Sequence, residues 1–338
     1  MYIKKQIKKA LYVYNKNPLS KLLYEKEIKK RFSLSLTNVE ALSKHISMFA
    51  PYTNELHHPN DWYGHAKIFK KFLGLPKDYK FKFIIEHGTY LNDEVADIDL
   101  ETNLPSFITY SENRIKFLKR YRDFAFSIGP FINYAEDILT KEELRREKKR
   151  LGRSLLLFPI HSTLDTNLNF NIANLCNSVK EIGKNFNTIR VCLYWTDVLK
   201  GHDKIYQDFG FEVVTAGHIL DSNFIPRLRS IIKLSSYTVS NGISTHIAYC
   251  LFLNKPHYLI SQRLNLSGNR KEIKANYILI KTKAYRQIYQ AFSKAEAKIS
   301  PEQYATVNYY WGLNKTKTKN EFLNIVERTE EIFKKYKQ

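Results

Sequence analysis

The sequence predicts an α/β protein made of two parallel units and a helical tail, and three observations lead there. Short apolar runs alternate with amphipathic stretches from about residue 81 to residue 260, the pattern of strand–helix–strand crossovers. Most of these runs end in small or polar residues, as at Glu86-His87-Gly88, His161-Ser162 and Ser240-Asn241-Gly242. A charged stretch over 141–153, Lys-Glu-Glu-Leu-Arg-Arg-Glu-Lys-Lys-Arg-Leu-Gly-Arg, splits the alternation in two. The 338 residues suffice for two cores of ordinary size. The expected organisation is an N-terminal α/β domain over 1–150, a C-terminal α/β domain over 151–283 and a helical tail over 284–338.

The first fifty residues read as basic and helical, with Leu11, Tyr12, Leu22, Leu23 and Tyr24 as packing positions. Helices are expected over 38–49 and 61–73. The run Phe81-Lys82-Phe83-Ile84-Ile85 is a strand leaving into Glu86-His87-Gly88. Strands over 106–110 and 124–128 flank a helix over 112–122, and Gly129-Pro130 stops the last of them. In the second unit, strands are expected over 154–159, 188–194, 212–215, 236–239 and 257–260. Helices over 167–185, 203–209, 225–234 and 247–253 join them. In the tail, a turn at Trp311-Gly312-Leu313-Asn314 precedes a final amphipathic helix over 319–336 that packs across both units.

Composition removes several classes. Hydrophobic residues make up 43% and aromatics 14%, which is a folded globular chain rather than a disordered one. The net charge of +21 is spread as +9 over 1–150 (28 basic, 19 acidic) and +12 over 151–338 (26 basic, 14 acidic). Such a field suits anionic small substrates, anionic membrane surfaces or nucleic acid. No nucleic-acid-binding signature accompanies it, and the aromatics fall on apolar faces, so no nucleic-acid partner is expected. Cys176, Cys192 and Cys250 lack paired spacing and read as buried thiols of a reducing compartment. No run is long enough to span a membrane, and Lys4, Lys5, Lys8 and Lys9 precede no apolar signal region. A cytoplasmic protein is expected, with peripheral contact to the inner face of an anionic membrane. Gly-x-Ser-x-Gly, Gly-x-Gly-x-x-Gly and P-loop patterns are missing, which argues against a hydrolase elbow, a dinucleotide dehydrogenase and an NTPase.

Ligands of open α/β sheets bind beyond the carboxyl ends of the strands. The predicted exits therefore bring His161, Ser162, Thr196, Gly217, His218, Ser240, Asn241 and Thr245 to one rim. The turn Ser240-Asn241-Gly242-Ile243-Ser244-Thr245-His246 offers backbone N–H groups and hydroxyls at a helix start, a pattern that suits phosphate as well as an ordinary cap. His161 and His218 are imidazole donors to an anion, and Arg227, one turn into its helix, is its counter-charge. In the first unit, Glu86 and His87 form a base–orienter pair beside Gly88, with Asp93, Glu94, Asp97 and Asp99 as other candidate carboxylates. Asp97-Ile98-Asp99 has an Asp-x-Asp form seen at divalent-metal sites, but it stands in an acidic loop, and no His or Cys cluster has ligand spacing. No metal site is expected.

These motifs carry a resemblance. Trp62-Tyr63-Gly64-His65-Ala66, Glu86-His87-Gly88, Ile128-Gly129-Pro130-Phe131-Ile132-Asn133-Tyr134 and Leu156-Leu157-Phe158-Pro159-Ile160-His161-Ser162 belong to it. So do Gly217-His218, Phe224-Ile225-Pro226-Arg227-Leu228, the Ser240–His246 turn and Tyr310-Trp311-Gly312. The chain resembles bacterial GT-B-type glycosyltransferases of capsule and lipopolysaccharide assembly, with donor motifs similar to those of sialyltransferases and Kdo transferases. That resemblance implies two Rossmann-like domains facing a cleft. The implied reaction is metal-independent transfer from a nucleotide-sugar co-substrate, a CMP-sugar ahead of the others, to a saccharide or lipid-linked saccharide acceptor. No tightly bound cofactor is implied. The donor would be held by His161, Ser162, His218, Arg227, Ser240, Asn241, Ser244 and Thr245, and Glu86 or His87 would stand at the acceptor hydroxyl. Where the sialyltransferases carry acidic-acidic-Gly, this chain has Glu86-His87-Gly88. A teichoic-acid-type polyol-phosphate transferase and a non-catalytic basic protein binding polysaccharide or membrane are the alternatives.

Overall fold

A computed structural model describes residues 18–46, 53–88, 90–161, 166–268 and 270–336. It is a mixed α/β structure with two parallel sheets and one antiparallel strand pair. Strands β1 (Ile84–Ile85), β2 (Ser106–Thr109) and β3 (Phe124–Ser127) form the first sheet in that order, every pair parallel. Along the chain follow β4 (Ser154–Phe158), β5 (Thr166–Asn169), β6 (Thr188–Leu193), β7 (Glu212–Thr215), β8 (Tyr237–Ser240), β9 (His257–Leu259) and β10 (Asn265–Gly268). The second sheet has the order β7-β6-β4-β8-β9, again all parallel. Its direction of progression therefore reverses between β4 and β8, which is the topological switch point of a doubly wound sheet. Both sheets are consistent with Rossmann-like units.

The central strand shows why the sequence folds this way. Leu155, Leu156 and Leu157 are wholly buried, and successive side chains of a strand point to opposite faces. Leu156 joins a core with Val214, Ile231 and Ile247, while Leu155 and Leu157 join a second core with Leu175, Val179 and Val191. A strand covered on both faces reads as an unbroken apolar run, as this one does. The first of these cores continues without interruption into Phe69, Phe83, Ile108 and Phe131 beside the other sheet.

The charged stretch forms the helix Lys141–Leu151, opened by a capping box between Thr140 and Glu143. In the tail, the helix Pro301–Trp311 opens on the same device, built from Ser300 and Gln303, and ends at Gly312. The last helix, Lys319–Tyr336, returns to the N-terminal half. Phe322 meets Phe69 with ring centroids 5.2 Å apart, and Tyr79 Oη donates to Glu330 (2.6 Å).

Four expected elements differ. Only Ile84–Ile85 of 81–85 is paired, because β2 offers register to those two residues alone. Of the helix over 38–49, Val39–Ser43 is helical and 44–46 is not, while 47–49 lie outside the described residues. The helix over 61–73 begins at His65, after a 3-10 turn His58–Gly64 with non-helical backbone at Trp62 and Tyr63. The helix over 167–185 is a strand followed by the helix Ile172–Ile182, capped where Asn171 accepts from Asn174 N (2.9 Å). The strand exists because Asn265–Gly268 pairs with it antiparallel, and that partner lies about a hundred residues away. Leu11, Tyr12 and the early lysines lie outside the described residues. No helix among the described residues is long and apolar enough to cross a membrane.

Candidate functional site

A cavity of about 380 Å³ opens where the carboxyl ends of both sheets converge. Pro159, Ile160 and His161 follow β4; Tyr194 follows β6; Ala216 follows β7; Gly242 to His246 follow β8. Gly88 and Tyr110 reach it from beyond β1 and β2, Tyr63 from the turn His58–Gly64, and His65 as the first residue of the helix His65–Leu73. It thus lies at the switch point between β4 and β8, where this type of sheet binds its ligands. A larger hollow of about 540 Å³ lies at Asn171, Asn174 and Gln262. It is the poorer candidate, because Gln262 is already spent on Asn241 and on the Asn171 carbonyl.

The two halves are joined around the cavity. Tyr63 N donates to Ile219 O (2.7 Å), and the hydroxyls of Tyr63 and Tyr194 lie 3.3 Å apart. Lys67 Nζ donates to Asn223 Oδ1 (2.9 Å), and Tyr110 Oη lies 3.5 Å from Tyr249 Oη. Tyr63 sits at φ +57, in the left-handed region, with Gly64 beside it at φ +78. Non-glycine residues rarely hold that conformation unless surroundings impose it, and such strain clusters at functional sites.

The lining residues include no Lys, Arg, Asp or Glu among those described, although the chain carries +21. Their polar groups are the hydroxyls of Tyr63, Tyr110, Tyr194, Tyr249, Ser244 and Thr245 and the imidazoles of His65, His161 and His246. His161 stacks on Tyr194 at 4.0 Å, and His246 on Phe158 at 4.8 Å. Among the described residues, His65 Nδ1 and His246 Nε2 are buried without a hydrogen-bond partner. A buried polar atom left unpaired is costly, so a polar group entering the cavity would find acceptors or donors at these two nitrogens. Burial pushes both imidazoles down to about 3, so both are neutral near pH 7.

Of the residues expected to bind or react, His161, Ser244 and Thr245 line the cavity, and Ser162 lies outside the described residues. The others are placed elsewhere. Glu86 is almost fully buried, and both its oxygens are taken. Oε1 accepts from Arg114 Nε (2.8 Å) and Nη2 (2.6 Å), and Oε2 accepts from Thr109 Oγ1 (2.6 Å). Arg114 in turn donates to the carbonyls of Asn92 and Glu94, so the pair pins the following loop. His87 packs against the edge of Trp62 at 4.4 Å, and its neighbour Gly88 is the residue that reaches the cavity.

Arg227 is fully buried. It donates to Ala216 O (2.6 Å), Asp221 Oδ2 (3.1 Å) and Arg31 O (3.3 Å), which locks three segments together. Ser240 Oγ donates to Gly242 O (2.9 Å) and lies 3.0 Å from His257 Nε2, so it stabilises the turn from within. Asn241 is a clamp across the switch point, accepting from Ile160 N (2.7 Å) and donating to Gln262 (2.8 Å). His218 lies between Trp195 and His45 and accepts from Leu220 N (3.1 Å). Asp99 forms a buried pair with His57 at 2.7 Å. All three cysteines are buried and free, as the sequence indicated.

Sequence reasoning missed Tyr63, His65, Tyr110, Tyr194, His246 and Tyr249 as lining residues. Tyr110 and Tyr194 carried a usable signal, since each directly follows a strand. Tyr63, His65 and His246 stand inside motifs that carry the resemblance, but nothing local marks them as lining residues.

Buried neutral histidines also set a pH dependence. Burial pushes His65, His218 and His246 down to about 3, against 6.5 for a free imidazole. In the unfolded chain these groups take up protons below about pH 6.5, and in the folded one they stay neutral to about pH 3. Stability is therefore complete above pH 6.5 and falls across that window as the pH drops, by up to about 1.4 kcal/mol per pH unit for each histidine. Melting temperature should be level above pH 6.5, drop steeply between pH 6.5 and 5, and drop less steeply in His218→Gln. A flat profile in the unmodified chain would contradict this account.

In comparisons with known proteins, no protein-family model and no curated protein matches this chain.

Proposed function

We infer that the protein is a glycosyltransferase of GT-B-like architecture, which moves a sugar from a nucleotide-activated donor to a saccharide acceptor of a bacterial surface polysaccharide. The observation that carries this reading is the cavity at the β4/β8 switch point, roofed by the carboxyl ends of the other sheet. A donor lying against the second sheet and an acceptor entering from the first would meet there. The resemblance of the motifs at Glu86-His87-Gly88, His161-Ser162 and Ser240–His246 to capsule and lipopolysaccharide transferases supports the same class.

In this reading the donor phosphate is met by hydrogen-bond donors: the hydroxyls of Ser244 and Thr245, the neutral imidazole of His246 and the imidazole of His161. Donors fixed before the reaction stabilise charge as it develops on the leaving phosphate, at no cost in reorganisation. Both oxygens of Glu86 are already engaged, so in this reading His65, whose Nδ1 has no partner among the described residues, accepts the proton of the attacking hydroxyl. A bound phosphate raises the affinity of a neighbouring imidazole for protons, so donor binding and proton uptake reinforce each other. The apolar walls at Phe158, Ile160, Phe224 and Leu228 exclude water that would otherwise hydrolyse the donor.

The test is thermal stabilisation by CMP, CDP, UDP, GDP and their sugar conjugates. Saturation at about a hundred times Kd stabilises a folded protein by about 2.7 kcal/mol. We expect a shift with one base, CMP ahead of the others, that His246→Ala removes. His65→Ala should keep the shift and lower turnover by roughly 10²–10⁴-fold, the usual contribution of a general base. No shift with any nucleotide would refute the transferase reading.

A further inference from the structure

Ile160 and Gly242 lie against one another in the wall of the cavity. A Cβ added at Gly242 would stand 2.6 Å from Ile160 Cδ1, 2.8 Å from its Cβ and 3.0 Å from its Cγ1, and these are the three nearest atoms. Gly242 lies outside the left-handed region, so what a larger residue would meet here is the Ile160 side chain and not a forbidden backbone angle. The chain that carries Ile160 is fixed on both sides. Pro159 locks its own φ just before it. Phe158 pairs in register with Ser240, Ile160 N donates to Asn241 Oδ1 (2.7 Å), and Ser240 Oγ donates to Gly242 O (2.9 Å). The flanking rings are held as well, Phe158 on His246 and His161 on Tyr194. Ile160 is half-buried, and among the described residues it joins none of the hydrophobic cores, whereas Phe158, Ile225, Leu228 and Ile243 of the same wall all do. An aliphatic side chain left uncovered in a ligand cavity is available to touch what enters.

We propose that Ile160 is a specificity-determining residue: seated on Gly242, it sets the size of the group that can lie beside an anion held at Ser244 and Thr245. Those two hydroxyls belong to the turn that begins at Gly242, so the side chain that limits size and the groups that bind charge are built on one short segment. This deepens the transferase reading and rests on it in one respect, that the anion is the donor phosphate and the neighbouring group the sugar or nucleoside it carries. The steric limit itself acts on any anion that carries a ring. Two substitutions move this limit in opposite directions. Ile160→Ala removes the side chain and enlarges the cavity. Gly242→Ala drives Ile160 off its seat, and with the backbone pinned the side chain moves into the cavity and narrows it.

The experiment is calorimetric titration of the full chain with benzenesulfonate and with naphthalenesulfonate, which join the same anion to one ring and to two. Neither contains a nucleotide, so a protein that binds no nucleotide would refute the transferase reading and leave this test standing. We expect Ile160→Ala to raise the affinity for naphthalenesulfonate relative to benzenesulfonate on the order of tenfold, through the added ring surface it can bury. Gly242→Ala should weaken both by about tenfold or more, the larger one further. Joining Gly242→Ala to Ile160→Gly should restore naphthalenesulfonate binding, because the added methyl then has no side chain to displace. An unchanged affinity ratio in Ile160→Ala would overturn the proposal and leave any nucleotide binding untouched. A double variant as weak as Gly242→Ala alone would overturn it by showing that the methyl does not act through Ile160. Equal binding by the parent and every variant would do the same, since it places both anions on the basic surface of a chain of charge +21. Binding of neither anion by the parent or by Ile160→Ala would also overturn it, because the cavity would then not take a ring beside an anion.

Discussion

Replacing Glu86 by Ala should cost the protein much of its stability, whatever it does to catalysis. The Arg114 guanidinium is as deeply buried as its partner, and Glu86 accepts two of its N–H groups directly. Removing one member of a buried ion pair leaves the other charge uncompensated, at a cost of about 3–5 kcal/mol. Total stabilities are only about 5–15 kcal/mol, so a large fraction of the molecules would be unfolded at moderate temperature. Thr109 Oγ1 would also lose its acceptor, and the loop held at Asn92 and Glu94 would be released. The denaturation midpoint of Glu86→Ala reads this directly. Turnover per folded molecule in the milder Glu86→Gln separates the two roles. A Glu86→Gln protein that folds normally yet is inactive would return the carboxylate to the chemistry.

Gly64→Ala is the second large effect. An added Cβ at Gly64 would stand 2.4 Å from the carbonyl oxygen of Ser222, which is backbone and has no room to withdraw, and the residue holds φ +78. Left-handed backbone costs an L-residue about 1–2 kcal/mol, and forcing atoms into a filled space typically adds about 1–3 kcal/mol. The strain falls between Tyr63 and His65, both of which line the cavity. Displacing reacting groups by about an ångström can cost a factor of about a hundred in rate, so the variant should be impaired even where it remains folded. Gly210→Ala is the control. Its φ is +80, but no atom lies within 4 Å of the added Cβ, so it should show only the smaller conformational penalty. Equal melting temperatures for the two variants would refute the steric account.

The corrections share one cause. Glu86 and Arg227 have the charge that a base and a phosphate clamp require, and both stand next to strand exits. Arg114, 28 residues away, claims the first. Asp221 and the carbonyl of Arg31, the latter 196 residues away, claim the second. Ser240 stands at an exit too, yet its hydroxyl turns inward to Gly242 O and His257. His161, Ser244 and Thr245 reach the cavity because the turns that carry them lead away from the sheet. In the same way, nothing local in 166–169 marks a strand, and β5 forms through a partner about a hundred residues downstream.

The sequence by itself determined the alternation of strands and helices, the parallel arrangement, the last helix at 319–336 and the rim at which ligands of such sheets bind. Each of these follows from local spacing: a period of two or 3.6 residues, a cap, or a polar turn after an apolar run. Only the tertiary structure decided which rim side chains remain available to a ligand. A charged or polar group that is buried must be paired, and its partner is set by the packing of distant segments. Around the cavity the lining polar groups are the imidazoles of His65, His161 and His246 and the hydroxyls of Ser244, Thr245 and four tyrosines, and no local pattern sets them apart from the polar groups of the rim that face inward.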